Sequence, residues 1–217
     1  KTPPNLTIRV CDSVTCEISG ANQLAQNLDD YFKGTVRIQK VPCIGRCQSA
    51  PVAVVKFNPV DNANLKNVKQ AVDAKEYNPS IPKYINMEEY INDGGYKLLN
   101  KLKNNEVDGD KILTELENSN LRGLGGAGFP AGKKWRILKD QPSPRLLAIN
   151  IDEGEPGTFK DRFYLEMDPH RFFEGMLIAS EVVGIDKIYI YLRDEYAAVR
   201  ILMTKELSKL RDKFKDK

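Results

Sequence analysis

The sequence predicts an α/β protein built from two modules, and three observations carry that expectation. Apolar residues switch between strand and helix spacing along most of the 217 residues. All four cysteines lie in two close pairs, each following a strand-like run, within the first 47 residues. A stretch rich in Pro, Asn and Tyr, residues 75–95, interrupts the pattern. The expected organisation is a small α/β module at 1–75, a linker at 76–95 and a second α/β module at 96–217.

Taken in order, residues 6–10 (LTIRV) read as a strand ending at Cys11. Leu24 and Leu28 mark a helix over 21–31. The β-branched run 35–41 is a strand leading to Cys43, and 51–57 is another. Leu65, Val68 and Val72 share one face of a helix over 64–74. After the linker come helices at 96–103 and 110–118, a glycine-rich run, and a helix around 133–139. Residues 145–150 read as a buried strand, and 158–167 as a helix. Asp168 followed by Pro169 is a helix start, and the helix it opens runs to Val183. A strand at 187–192 follows, and Asp194 is expected to begin the last helix.

Composition narrows the function classes. With 41% hydrophobic and 29% charged residues, the chain suits a packed globular protein. No apolar run approaches the roughly 20 residues of a membrane span. The start, KTPPNLTIRV, lacks the apolar core of a signal peptide, so no membrane insertion and a cytoplasmic location are expected. The net charge of +3, with both signs interspersed, gives no case for nucleic acid. The basic C-terminal run reads as a solvated helix end.

The cysteine spacing is Cys11-x4-Cys16 and Cys43-x3-Cys47. Four thiolates can hold a [2Fe–2S] cluster or a tetrahedral zinc. Gaps of four and three disfavour zinc, whose ribbons mostly use gaps of two. Disulfides or free thiols are the remaining reading, set against a reducing compartment.

Two further loops carry chemistry. The run LRGLGGAGFPAGKKW (121–135) offers bare amides and a Lys pair suited to a phosphate. The run NIDEGEPGTFKDR (150–162) offers an amide and carboxylates suited to a polar ring or sugar. Gly123 to Gly128 formally matches GxGxxG, but the preceding segment reads as a helix, so a Rossmann site is rejected. A P-loop fails because Ala127 stands where its first Gly is needed and Lys134 where Ser or Thr should be. His170, the sole histidine, sits at a helix start and reads as structural.

These motifs carry a resemblance. VCDSVTCEISGA and VPCIGRCQSAPVAVV resemble the thioredoxin-like [2Fe–2S] ferredoxins over about residues 6–75. That implies Cys11, Cys16, Cys43 and Cys47 as cluster ligands. LRGLGGAGFPAGKKW, NIDEGEPGTFKDR, DPHRFFEGMLIA and YIYLRDEY, in that order, resemble the FMN- and NADH-binding subunit of complex I over about 96–205. The same module occurs in diaphorase subunits of NAD-reducing hydrogenases and NAD-dependent formate dehydrogenases. The implied fold is a thioredoxin-like ferredoxin domain followed by part of an α/β FMN/NADH-binding domain.

By that resemblance Gly123, Gly125, Gly126 and Lys134 border FMN, and Asn150, Asp152 and Glu153 hold its ribityl and ring edges. Tyr191 lies beside the flavin. Phe129, Glu155 and Glu195 lie near the incoming nicotinamide nucleotide. The implied activity is hydride exchange between NAD(H) and FMN, with electrons passing to iron–sulfur clusters on partner subunits. Leu124 stands where complex I forms usually carry Arg, and Asp194 where they carry Gly. With the fused ferredoxin module, these favour the formate dehydrogenase β-subunit type over the hydrogenase and complex I types. Family members continue further and add a [4Fe–4S] domain, so a fragment or inactive product is one alternative. A zinc-stabilised interaction module without enzyme activity is another.

Overall fold

The computed structural model describes residues 4–124 and 126–213. The chain divides into two units. The first gathers Lys1–Lys83, Asp152–Glu166 and Leu192–Lys205, and the second gathers Tyr84–Ile151, Met167–Tyr191 and Glu206–Lys217.

In the first unit, β1 (Thr7–Cys11) pairs parallel with β2 (Arg37–Val41), Thr7 opposite Arg37. On its other side β1 pairs antiparallel with β3 (Ala53–Val55), which pairs antiparallel with β4 (Asn58–Val60). The sheet order is β2-β1-β3-β4. The parallel pair needs a crossover, and α1 (Val14–Ile18) with α2 (Ala21–Phe32) supplies it. Leu24 and Leu28 face the sheet, as their spacing predicts, and pack with Ile8, Val10, Val52 and Val55. Helix α3 (Leu65–Asp73) begins with a capping box between Asn64 and Asn67, and adds Val68 and Ala71 to the core.

Two expectations change here. The strand expected over 51–57 is only Ala53–Val55, and the chain reverses into β4, which the residue pattern does not announce. Lys56 takes a positive φ of 61° in the turn. Pro59 hides β4, because proline reads as a strand breaker; at a sheet edge its missing N–H costs nothing. Helix α1 is also absent from the sequence reading, being too short to show a period.

The second unit is mainly helical. The proline-rich stretch expected to be a linker contains α4 (Met87–Asn92), started by a capping box of Asn86 and Glu89. Then come α5 (Lys97–Lys103), α6 (Gly109–Asn118), α7 (Ala131–Lys139) and β5 (Leu146–Ile151). Helix α8 (Lys160–Met167) lies in the first unit as far as Glu166, and α9 (Pro169–Val183) returns to the second. Asp168 caps α9 by accepting from the Arg171 amide at 3.1 Å, with Pro169 at the first helical position. Strand β6 (Lys187–Leu192) pairs with β5, and α10 (Ala197–Lys213) closes the described chain. The last helix therefore starts three residues after Asp194, which lies in a turn paired with Arg200 at 2.5 Å. Strand β5, expected to be buried, instead has alternate residues facing solvent.

Phe173, Leu99 and Leu113 are fully buried in this unit. Each contributes about 1.5–3 kcal/mol by burial. A polar network accompanies them. His170 bridges Tyr96 Oη at 2.8 Å and Glu206 Oε2 at 3.0 Å. Glu206 also accepts from Tyr84 Oη at 2.7 Å and Lys209 Nζ at 2.8 Å. Both ring nitrogens of His170 are thus used internally, which gives it a structural role.

Candidate functional site

Strand β1 delivers Cys11, and α1 presents Cys16 one turn later. Strand β2 leads into the loop of Cys43 and Cys47, the latter opening a short 3-10 turn, Cys47–Ser49. Cys11, Cys16 and Cys43 are buried and Cys47 is half-buried; all four are free thiols. Cys43 Sγ lies 3.4 Å from Cys47 Sγ. Cys11 and Cys16 are hydrogen-bonded to one another, which lowers Cys11 to about 6 and raises Cys16. Burial raises Cys43.

Backbone amides surround these sulfurs. Ser13 and Ile44 donate to Cys11, and Val52 to Cys16. Gly45 N donates to Cys43 Sγ at 3.4 Å, and Gly157 N to Cys47 Sγ at 3.2 Å. Such donors favour thiolate over thiol. Two pairs of cysteine sulfurs ringed by backbone amides fit the two irons of a [2Fe–2S] cluster, each of which takes two thiolates.

Gly45 has a φ of +71°, and a β-carbon there would collide with the Tyr196 ring. The Tyr196 hydroxyl donates to Glu153 at 2.8 Å. Glu153 is 2% exposed and also accepts from the amides of Asp161 and Arg162 at 3.1 and 3.4 Å. Burial pushes its carboxyl up, but these donors and Lys160 outweigh it, and the net shift is down. Its side chain therefore anchors the loop and the start of α8. Arg193 donates to the Glu153 carbonyl and pairs with Glu195 at 3.1 Å. The Arg193–Glu195 hydrogen bond holds the Glu195 carboxyl below its ordinary range. Asp152 and Glu155 are exposed, and Glu155 O closes the turn by accepting from Thr158 N at 3.1 Å.

The first unit thus holds the cysteines with Asp152, Glu153, Glu155 and Glu195. The second holds Gly123, Gly126, Phe129, Lys134, Asn150 and Tyr191. Gly125 lies outside the described residues. The glycine loop is closed by Gly123 N to Phe129 O at 3.0 Å and Ala131 N to Leu121 O at 2.8 Å. Gly126 has a φ of +92° and open space about it. Helix α7 then starts with no side-chain cap, and Lys133 and Lys134 are exposed in its first turn. A helix start without a side-chain cap, beside two exposed lysines, is an arrangement that can bind a phosphate. Gly132 serves packing instead, because a β-carbon there would meet the Glu117 backbone of α6 at 2.6 Å. Phe129, Tyr191 and Asn150 are exposed.

Gly157, Arg162, Arg193 and Tyr196 are neighbours of the cysteine loop that sequence reasoning does not identify. They lie in the quoted motifs, but nothing local relates them to cysteines more than 100 residues away. Among the described residues no helix is long and apolar enough to cross a membrane.

Residues 1–76 match the thioredoxin-like [2Fe–2S] ferredoxin family, and residues 116–215 match the Nuo51 FMN-binding domain. An NADH-quinone oxidoreductase subunit of Aquifex aeolicus is 47% identical over 117 residues, 54% of this chain and 27% of that protein. NAD-reducing hydrogenase HoxS subunit alpha of Cupriavidus necator is 43% identical over 104 residues, 48% of this chain and 17% of that protein. The chain thus spans about a quarter or less of these relatives. A crystal structure of an air-oxidised NAD+-reducing [NiFe]-hydrogenase superposes with a TM-score of 0.79 and 26% identity. That match covers 98% of this chain and 41% of the other.

Proposed function

We propose that this protein is an electron-transfer subunit of diaphorase type, because residues 1–76 match the thioredoxin-like [2Fe–2S] ferredoxin family and residues 116–215 match the Nuo51 FMN-binding domain. It exchanges hydride between NAD(H) and FMN and passes electrons to or from iron–sulfur clusters. The observation that carries this reading is the cradle of four cysteines in two pairs, ringed by amides, in a chain that also carries the flavin-binding motifs. FMN, when bound, takes a two-electron hydride and releases electrons one at a time.

The residues have separate roles. Gly123, Gly125, Gly126 and Lys134 border the FMN phosphate. Asn150 and Asp152 hold polar edges of the cofactor, and the buried Glu153 fixes the backbone of that loop. Tyr191 flanks the flavin. Phe129 stacks on a planar ring of the nicotinamide nucleotide, and Glu155 and Glu195 accept from its polar groups. Cys11, Cys16, Cys43 and Cys47 hold the cluster. Along the sequence the two family modules fall at 1–75 and 96–217 with 76–95 between them, although segments 152–166 and 192–205 fold into the first unit. The partners are subunits carrying further clusters. A cytoplasmic location follows from the need to keep four ligand thiols reduced.

The finer assignment is the β subunit of an NAD-dependent formate dehydrogenase, supported by Leu124 and Asp194. A second reading, the diaphorase of an NAD-reducing hydrogenase, is favoured by the superposition over 98% of the chain. Anaerobic purification with iron and sulfide analysis, visible and EPR spectra, and NADH titration with added FMN tests the general reading. A chain that takes up neither cluster nor flavin overturns it. Co-purifying partners that oxidise formate or H2 separate the two finer ones.

A further inference from the structure

Three donors from far along the chain converge on the loop of Cys43 and Cys47, all within the first unit. Gly157 N–H reaches Cys47 Sγ directly, at 3.2 Å. Arg162 Nε donates to the Gly45 carbonyl at 2.9 Å, and the Arg193 guanidinium donates to the Cys43 carbonyl. These contacts bridge 110, 117 and 150 residues of sequence.

The two guanidiniums belong to residues that are 5% and 6% exposed. Burying a cation is costly unless it is paired, and both are. Arg162 pairs with Glu166 at 2.7 Å and Arg193 with Glu195 at 3.1 Å. The pairing is uneven, however. The arginine side chains are each 6% exposed, while those of Glu166 and Glu195 are 16% and 36% exposed. Solvent screens the carboxylates more than the cations. Both guanidiniums donate directly to carbonyls of the cysteine loop, whereas the buried Glu153 carboxylate nearby is taken up by the Tyr196 hydroxyl and the amides of Asp161 and Arg162, so the cations make the direct charged contact with that loop.

Adding one electron to a cluster makes it one unit more negative. Hydrogen bonds to its sulfurs and nearby positive charge stabilise that state, and both are established levers on iron–sulfur potentials. We infer that Gly157, Arg162 and Arg193 are potential-setting residues that raise the reduction potential of the cluster held by the four cysteines. The inference rests on the [2Fe–2S] reading above. It gives segments 152–166 and 192–205 a role toward the cysteines in addition to any role toward flavin.

The test is an EPR-monitored redox titration of the full chain, loaded anaerobically, with mediators present. Arg162→Met and Arg193→Met should each move the midpoint to more negative potential. Gly157→Ala should do the same, because its φ of +91° is strained for alanine and the amide turns away from the sulfur. Glu166→Gln removes a counter-charge and should move the midpoint the opposite way. Arg193→Lys, keeping the charge, should return it toward wild type. If a Met variant fails to load, the sign of the Glu166→Gln shift and the Lys variant still decide. Loaded variants with the wild-type midpoint overturn the inference alone. A wild-type chain that takes up no iron and sulfide overturns the cluster reading, and this inference with it.

Discussion

The ring of Tyr196 occupies the space that a β-carbon on Gly45 would need, and Gly45 itself adopts a φ of +71°. The glycine between the two cysteines is thus required twice, by backbone conformation and by a neighbour far along the chain.

Gly45→Ala is therefore expected to destabilise the protein by about 2–4 kcal/mol, adding strain at positive φ to overpacking. Chemical denaturation of the full chain measures this. Tyr196→Phe keeps the ring and loses the hydroxyl bond to Glu153, so its cost should be smaller, about 1–2 kcal/mol.

Gly132→Ala should destabilise by about 1–3 kcal/mol, because the added carbon meets the backbone of α6. Gly126→Ala should cost less, since only its φ of +92° opposes the change and the space is open. The ranking, read from thermal melts, separates packing glycines from loop glycines.

The His170 network predicts acid sensitivity. A carboxylate only accepts, so His170 Nε2 carries the proton toward Glu206 and Nδ1 accepts from Tyr96. Burial lowers the His170 pKa more than Glu206 raises it, so the folded value is depressed. Burial raises Glu206, but Lys209, Tyr84 and His170 outweigh it and the net shift is down. Both groups have folded pKa values below their unfolded ones. Their stabilisation is present above the unfolded pKa, about 6.5 for His, and is lost as pH falls through the folded pKa. Stability should decline below about pH 6.5, more weakly in His170→Asn. That variant should also lose about 2–4 kcal/mol near neutral pH. Denaturant melts across the pH range check both statements.

Cys43→Ser should abolish the cluster EPR signal and leave FMN binding measurable by fluorescence quenching. Loss of flavin with retention of the cluster in this variant would contradict the assignment.

Lys134→Ala should weaken FMN binding by about tenfold or more, the loss of one charge-assisted contact to phosphate, without altering the cluster signal. Equilibrium titration with free FMN reads the change. Unchanged affinity would remove Lys134 from the phosphate site.

The sequence by itself determined the periodic elements and the types of chemistry. Leu24 and Leu28, Val68 and Val72, and the Asp168–Pro169 start are local signals, set by one turn or one pleat of backbone. So are the cysteine spacing and the glycine run. Tertiary structure alone decided that Pro59 sits in an edge strand and that Gly132 serves packing rather than phosphate. It also decided that Glu153 is an internal anchor, and that Gly157, Arg162 and Arg193 point at the cysteine loop. The physical reason is range. Local signals arise from steric and hydrogen-bonding rules between near neighbours in the chain. What a buried arginine faces depends on segments more than 100 residues apart, brought together only when the sheet and helices pack.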